Sequence, residues 1–322
     1  MDKKILSTAI AGVLAGSMAF AANADVTLYG NVNISIDSWD IDGVGDDVNM
    51  ENNTSAVGVK GSEDLGNGLK AIFQVEFGFD PDEGSGTTAR DQWVGLEGGF
   101  GKVRFGTLST SYKSHGAMID PIYRTSLQNR DSGLQSDGLH NGRGETRGRM
   151  NNHVRYDSPD FNGLGFTADY SFDQTADEND SYGIGAHYKN GGILVFADYI
   201  TSDAGTDTDD AWKLGGSFKF SDMFGVYGQY EEGGLLQPGT ATEDASQWMI
   251  AGSATMGNAL IYLGYGQAEE LVGAAYEHDA ITLAVDYSLS KRTDVYGGWA
   301  NIDEDSTGTE ADLISVGLRH RF

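Results

Sequence analysis

The chain reads as an all-β protein, a 16-stranded antiparallel transmembrane β-barrel with a long third loop folded into the lumen. Three observations carry that reading. Apolar and polar residues alternate with period two in segment after segment, as in Ile281, Leu283, Val285, Tyr287 and Leu289 against Thr282, Ala284, Asp286 and Ser288. Short Gly/Asn/Asp turns alternate along the chain with longer acidic links, as expected of a barrel with two unlike rims. The chain ends on Phe322 in a strand whose Ile314, Val316 and Leu318 share one face. A soluble protein would have nothing to bury that face against, whereas a closed barrel turns it to lipid and the opposite face to a wet lumen. No segment approaches the roughly 18 uninterrupted apolar residues of a spanning helix.

The elements follow in order. Lys3 and Lys4, an apolar stretch from Ile5 to Phe20, and Ala22-Asn23-Ala24 predict a cleaved secretory signal over residues 1–24, leaving 25–322 as the barrel domain. Strand centres fall near residues 31, 58, 74, 92, 105, 152, 168, 185, 196, 216, 228, 250, 263, 284, 297 and 317. An even number lets the first and last strands pair, and about sixteen strands enclose an aqueous channel where about eight are filled by side chains. The 46 glycines against 4 prolines suit a long meander of tight turns, and the absence of cysteine excludes disulfides and thiolate metal sites.

Short turns are predicted at Glu63–Gly68, Gly98–Gly101, Ser158–Gly163, Asn190–Gly192, Ser221–Gly225 and Ser288–Thr293. Between them lie acidic loops at Asp37–Asn53, Asp80–Thr87, Asp173–Asp180, Asp203–Asp210, Glu231–Asp244 and Asp303–Glu310. One link stands apart, running from Thr107 to Arg147 without sustained alternation. A link that long without strand character is usually functional, and it is read here as a loop inside the lumen.

Six stretches carry a specific resemblance: Val26–Gly30, Val57–Leu69, Val94–Leu96, Val154–Pro159, Leu289–Thr293 and Val316–Phe322. Together they resemble the Gram-negative general (trimeric) porin family, most of all its neisserial and betaproteobacterial branch. The resemblance implies a homotrimer in the outer membrane, in contact with its lipids and lipopolysaccharide and inserted by the barrel-assembly machinery, with Phe322 as assembly signal. It also implies a pore constriction in which wall cations face loop acids. Arg90, Arg149 and Lys60 match lumen-facing family positions, Arg155 shares the face of Arg149 by parity, and Asp120 sits where the family carries an Asp-Pro element. Ala56, Asn31 and Thr107 replace frequent basic residues, for which Arg104, of inward parity, is expected to compensate. Asp91 points outward by parity, toward a subunit neighbour.

A field across a narrow lumen orders water and favours small hydrophilic solutes and ions, with nothing chemically changed. That is the function expected, with a substrate-specific channel using Tyr112 and Tyr123 as the alternative, and a surface adhesin or structural barrel behind it. Six scattered histidines show no metal-ligand spacing, and no nucleophile motif is present, so no enzyme is expected. A net charge of −27 speaks against nucleic acid as a partner. No cofactor is expected beyond Ca²⁺ or Mg²⁺ on Asp40, Asp42, Asp46 and Asp47.

Overall fold

A computed structural model describes residues 24–142, 148–172, 180–202, 209–236, 245–270, 277–304 and 308–322. The signal over residues 1–24 lies outside them but for Ala24, which opens the first strand. Seventeen strand segments follow one another: β1 (Ala24–Ile41), β2 (Gly45–Asn52), β3 (Ala56–Gly66), β4 (Leu69–Asp80), β5 (Ser85–Gly98), β6 (Gly101–Ser109), β7 (Arg149–Asp157), β8 (Leu164–Ser171) and β9 (Ser181–Asn190) form the first half. The second half comprises β10 (Ile193–Ser202), β11 (Asp209–Lys219), β12 (Phe224–Gly233), β13 (Ala245–Met256), β14 (Ala259–Glu270), β15 (His278–Ser288), β16 (Thr293–Glu304) and β17 (Thr309–Arg321).

These segments make sixteen staves, because β2 and β3 are one stave interrupted at 53–55. Both pair antiparallel with β1, β2 along Ile34–Ile41 and β3 along Ala24–Asn31. The acidic stretch Asp37–Asn53, expected as a loop, is thus mostly a hairpin. Its alternation persists beneath the acids, Ile36 pairing with Met50 and Asp37 with Asn49. From β3 onward each strand pairs antiparallel with the next, and β17 pairs with β1 from Asn31↔Arg321 to Ile41↔Ala311, which closes the barrel. At the seam Gly30 and Phe322 exchange backbone hydrogen bonds of 3.1 and 3.0 Å. A Cβ on Gly30 would lie 2.5 Å from the Phe322 ring, so the terminal aromatic packs where only glycine leaves room.

Alternation sorts the faces as the physics requires. Leu28, Ile36, Val94, Phe166, Leu214, Leu283, Ile314 and Val316 are exposed on the outside, where hydrocarbon is the solvent. Asn33, Ser35, Asp37, Asp169, Lys213, Thr282 and Ser315 face inward and are buried. Near the loop-bearing rim, outward tyrosines donate to rim carboxylates: Tyr199 to Asp210 at 2.9 Å, Tyr230 to Glu232 at 2.6 Å and Tyr265 to Asp279 at 2.8 Å. Tyr170 pairs likewise with Asp180, and the indole of Trp299 donates to Asp312 at 2.7 Å. This half-girdle suits the polar–apolar boundary of a bilayer.

The third loop, described over residues 110–142 and at 148, fills much of the interior. Its helix α1 (Ser111–Ala117) is capped by Thr110, whose hydroxyl accepts from the Lys113 N–H, and the short α2 (Asp137–His140) follows. Ile119, Ile122, Leu127 and Leu134 are fully buried against the inner wall of β10 to β17, beside Phe196, Tyr227, Met249 and Tyr262. That wall is built to receive them. A Cβ on Gly264 would stand 2.6 Å from Leu134 and one on Gly298 2.8 Å from Leu127, and Ala251, Ala280, Ala284 and Ala300 line the same surface.

Candidate pore constriction

Two bulges shape the wall beside the third loop. In the β4–β5 ladder Val75 pairs with Gln92 and Phe77 with Ala89, so Glu76 alone opposes both Arg90 and Asp91. In the β6–β7 ladder the register shifts between Gly106↔His153 and Leu108↔Met150, and Asn152 takes φ 47°. The first bulge resets the parity from which an outward Asp91 was inferred. Asp91 instead pairs with Arg149, Nε to Oδ1 at 2.5 Å, and also interacts electrostatically with Lys113 of the third loop.

Arg90 Nε meets Glu76 Oε1 at 2.6 Å, while Tyr29 donates its hydroxyl to Glu76 Oε2 at 2.9 Å. Lys60, exposed, sits 5.1 Å from the centroid of the Tyr29 ring. Arg104 stacks over Trp93 at 5.2 Å and pairs with Asp157. Lys60, Gln74, Trp93 and Arg104 line one open groove on the inner face of β3 to β6. The expected wall cations Lys60, Arg90 and Arg104 therefore stand on the part of the barrel that the apolar underside of the loop leaves free, whereas Arg149 is buried beside Lys113 of the loop.

Two expected members are placed elsewhere. Arg155 is buried and fastens the start of the third loop, donating to Ser109 O at 2.9 Å and Ser114 Oγ at 3.0 Å while paired with Asp157 at 2.9 Å. Asp120 is buried within the loop. Its Oδ1 accepts the Ile122 N–H at 3.1 Å and its Oδ2 the Asn129 N–H at 3.0 Å, and burial pushes its carboxyl up to about 7. Both are buried, Arg155 at the root of the loop and Asp120 within it.

The loop adds cations that sequence reasoning missed. Arg124, at φ 66°, donates to Asn31 Oδ1 at 3.0 Å, and its carbonyl accepts from Asn33, so the loop reaches β1. Lys113 is buried beside Arg130, Arg149 and Arg90, and burial followed by those charges holds its ammonium well below the usual lysine range. Among the described residues neither Arg124, Lys113 nor Lys60 has a carboxylate within ion-pair distance. An aperiodic loop gave no signal for Lys113, Arg124 or Arg130, but Glu76 was legible from its inward parity between Val75 and Phe77.

Beneath the loop a dense polar network joins it to the wall. Asp169 receives the Ser111 N–H at 2.9 Å and His153 at 2.8 Å, and His115 bonds Asp198 at 2.8 Å and His187 at 3.1 Å. Glu231 accepts from Tyr112 at 2.9 Å and the Ser136 hydroxyl at 2.9 Å. His140 Nε2 lies 3.2 Å from Lys213 Nζ, its Nδ1 2.9 Å from Ser136 O, and burial and the Lys213 charge keep it neutral by holding its pKa well below the usual histidine range. Tyr112 is spent in this network and Tyr123 stacks between Arg124 and Arg130, so neither forms an aromatic track. Among the described residues no three His, Asp or Glu side chains converge to hold a metal ion.

A family profile described as Gram-negative porin matches residues 7–307. The chain is 29% identical to the major outer membrane protein P.IB of Neisseria sicca and of Neisseria meningitidis serogroup B, in each case over the whole of both chains. Among solved structures, an anion-selective porin from Comamonas acidovorans superposes with a TM-score of 0.78 at 25% identity, covering 93% of this chain and all of that one. OmpF of Salmonella typhi, in complex with daunomycin, superposes at 0.75 with 18% identity over 92% of this chain and 97% of its own.

Proposed function

The chain belongs to the Gram-negative porin family and is an outer-membrane β-barrel, and from that premise we propose that it is a homotrimeric general diffusion pore for ions and small hydrophilic solutes. The observation that carries this reading is the one-sided seating of the third loop. Its apolar underside is spent on β10 to β17, while the face of β3 to β6, with Lys60, Gln74 and Arg104, is left facing a groove.

A solute crossing there meets guanidinium groups fixed by Glu76, Asp91 and Asp157 and the exposed ammonium of Lys60, in a lumen whose low-dielectric walls strengthen their field. Polar solutes orient in such a field, and apolar ones must displace the water it orders. No step makes or breaks a bond, and His115, His140 and His278 serve loop attachment. Assembly as a trimer is supported by the incomplete girdle. The described Tyr and Trp partners of rim carboxylates run from β8 to β16, and β1 to β7 carry none. A protein neighbour on that arc accounts for the difference. Contacts with lipopolysaccharide and the barrel-assembly machinery belong to the same proposal.

The test is conductance of the purified protein in a planar bilayer under a salt gradient. Closure in three equal steps is expected, with the reversal potential moved toward cations by Arg90→Ala or Arg149→Ala. A protein that inserts as a heat-modifiable barrel yet conducts nothing overturns the proposal.

A further inference from the structure

The charge of this chain is separated along the barrel axis. Seven windows, 38–54, 80–87, 173–180, 203–210, 232–244, 269–279 and 303–312, together hold 28 of the 48 acids and no Lys or Arg. The strands that flank each window end on the rim that also carries the third loop, as the meander from β1 to β17 requires. The rest of the chain holds the other 20 acids and all 21 bases, so it is close to neutral. Within the described lumen many carboxylates are tied to a wall cation, a histidine or the loop backbone, as Glu76, Asp91, Asp157, Asp169 and Asp286 show. Lys60 and Arg124 are not so neutralised and remain partly or fully exposed in the interior. A strongly anionic mouth therefore stands in series with a constriction whose uncompensated charge is cationic.

We propose that the pore rectifies, passing more current when the loop-bearing side is positive. This rests on the diffusion-pore reading. The acidic mouth accumulates cations and the constriction accumulates anions. A positive potential on the loop side drives cations inward from the mouth and anions outward from the constriction, so both carriers fill the zone between them and conductance rises. The opposite polarity draws each carrier away from that zone and depletes it. The effect requires that fixed charges govern ion content across the lumen. It is strong where the Debye length is about 10 Å, near 0.1 M salt, and fades where it is about 3 Å, near 1 M.

The experiment uses the full trimer in a planar bilayer with symmetric KCl. The chain lacks cysteine, so Val44→Cys, 81% exposed at the tip of the β1–β2 turn, reports orientation through its reaction with a bulky neutral maleimide added to one chamber. At about 0.1 M the current with the loop side positive is expected to exceed the reverse current by roughly 1.5-fold or more, and the ratio to approach one at about 1 M. Replacing Asp40, Asp42, Asp46 and Asp47 by Asn, on an exposed hairpin tip, lowers the ratio without abolishing conductance. Equal currents at low salt in an oriented, conducting channel overturn the proposal and leave the pore standing, as does rectification of the opposite sense. An inserted barrel with no conductance overturns both.

Discussion

Leu134→Ala separates the loop from the barrel that holds it. Leu134 is fully buried, and its methyls lie where Cβ atoms on Gly264 and Gly266 would come within 2.6 and 3.3 Å. Truncation leaves a void that the flanking glycines cannot fill, for a cost of about 2–5 kcal/mol. None of the inter-strand hydrogen bonds of β13 to β15 involves that side chain, so the cost falls on docking of the loop. The docked-to-undocked ratio drops by roughly 30- to 5,000-fold, at about 1.4 kcal/mol per decade. Single-channel recording then shows more open-channel noise and frequent excursions to a larger conductance, while the temperature at which the folded band disappears on unboiled gels stays near that of the parent. Quiet, unaltered openings with a barrel that melts several degrees lower would refute the reasoning, because Leu134 would then belong to the barrel's own stability.

The loop also carries two opposed titrations. His140 is held below its ordinary pKa of about 6.5, so docking is complete above that pH and weakens about tenfold per unit as pH falls below it. Asp120 is pushed up to about 7 from 3.8, so its contribution is complete below pH 3.8 and is lost as pH rises toward 7. Between about pH 4 and 6.5 the two cancel, and the single variants reveal them: His140→Gln tightens on acidification, Asp120→Asn loosens, both read from open-channel noise. Two variants changing in the same direction with pH contradict this assignment. At the seam, Gly30→Val forces its Cβ against the Phe322 ring and the Ala56 carbonyl and costs about 1–3 kcal/mol, seen as a lower melting temperature of the folded band. Deleting Phe322 lowers the amount of folded trimer in the membrane with little effect on export, and normal trimer levels in the deletion count against a role in assembly.

The staves were legible because their outer face answers to a single solvent. Every predicted strand centre lies within a strand, and Phe166, Leu214 and Leu283 point outward as the period-two pattern required. Reading failed where a second rule was superimposed. Acids on the β1–β2 hairpin masked an intact alternation between Ile36 and Met50. A bulge at Arg90–Asp91 inserted one residue, so that both face inward where alternation from Arg90 alone puts Asp91 outward. The site was legible for Lys60, Arg90, Arg104 and Arg149, which stand on the wall. It was not legible for Arg124 or Lys113, which hang from a loop whose path is set by distant packing.

The inner face of this barrel answers to two environments, and its composition divides accordingly. On β10 to β17 it carries Leu194, Phe196, Tyr227, Met249 and Tyr262 among alanines and glycines, a surface unsuited to water and shaped for Ile119, Ile122, Leu127 and Leu134. On β3 to β6 it carries Lys60, Gln74, Glu76, Arg90 and Arg104, a surface unsuited to anything but water and ions. A strand such as β10 thus looks apolar on both faces, with Val195 toward lipid and Phe196 toward the loop, and in isolation resembles a buried strand of a soluble core. The loop cannot exchange sides. Moving it across would expose the apolar wall to water and bury the wall cations against leucine, with the loss of several ion pairs' solvation. The passage is therefore held against β3 to β6 by the cost of the alternative, and the charges a solute meets there follow from where the loop's leucines fit.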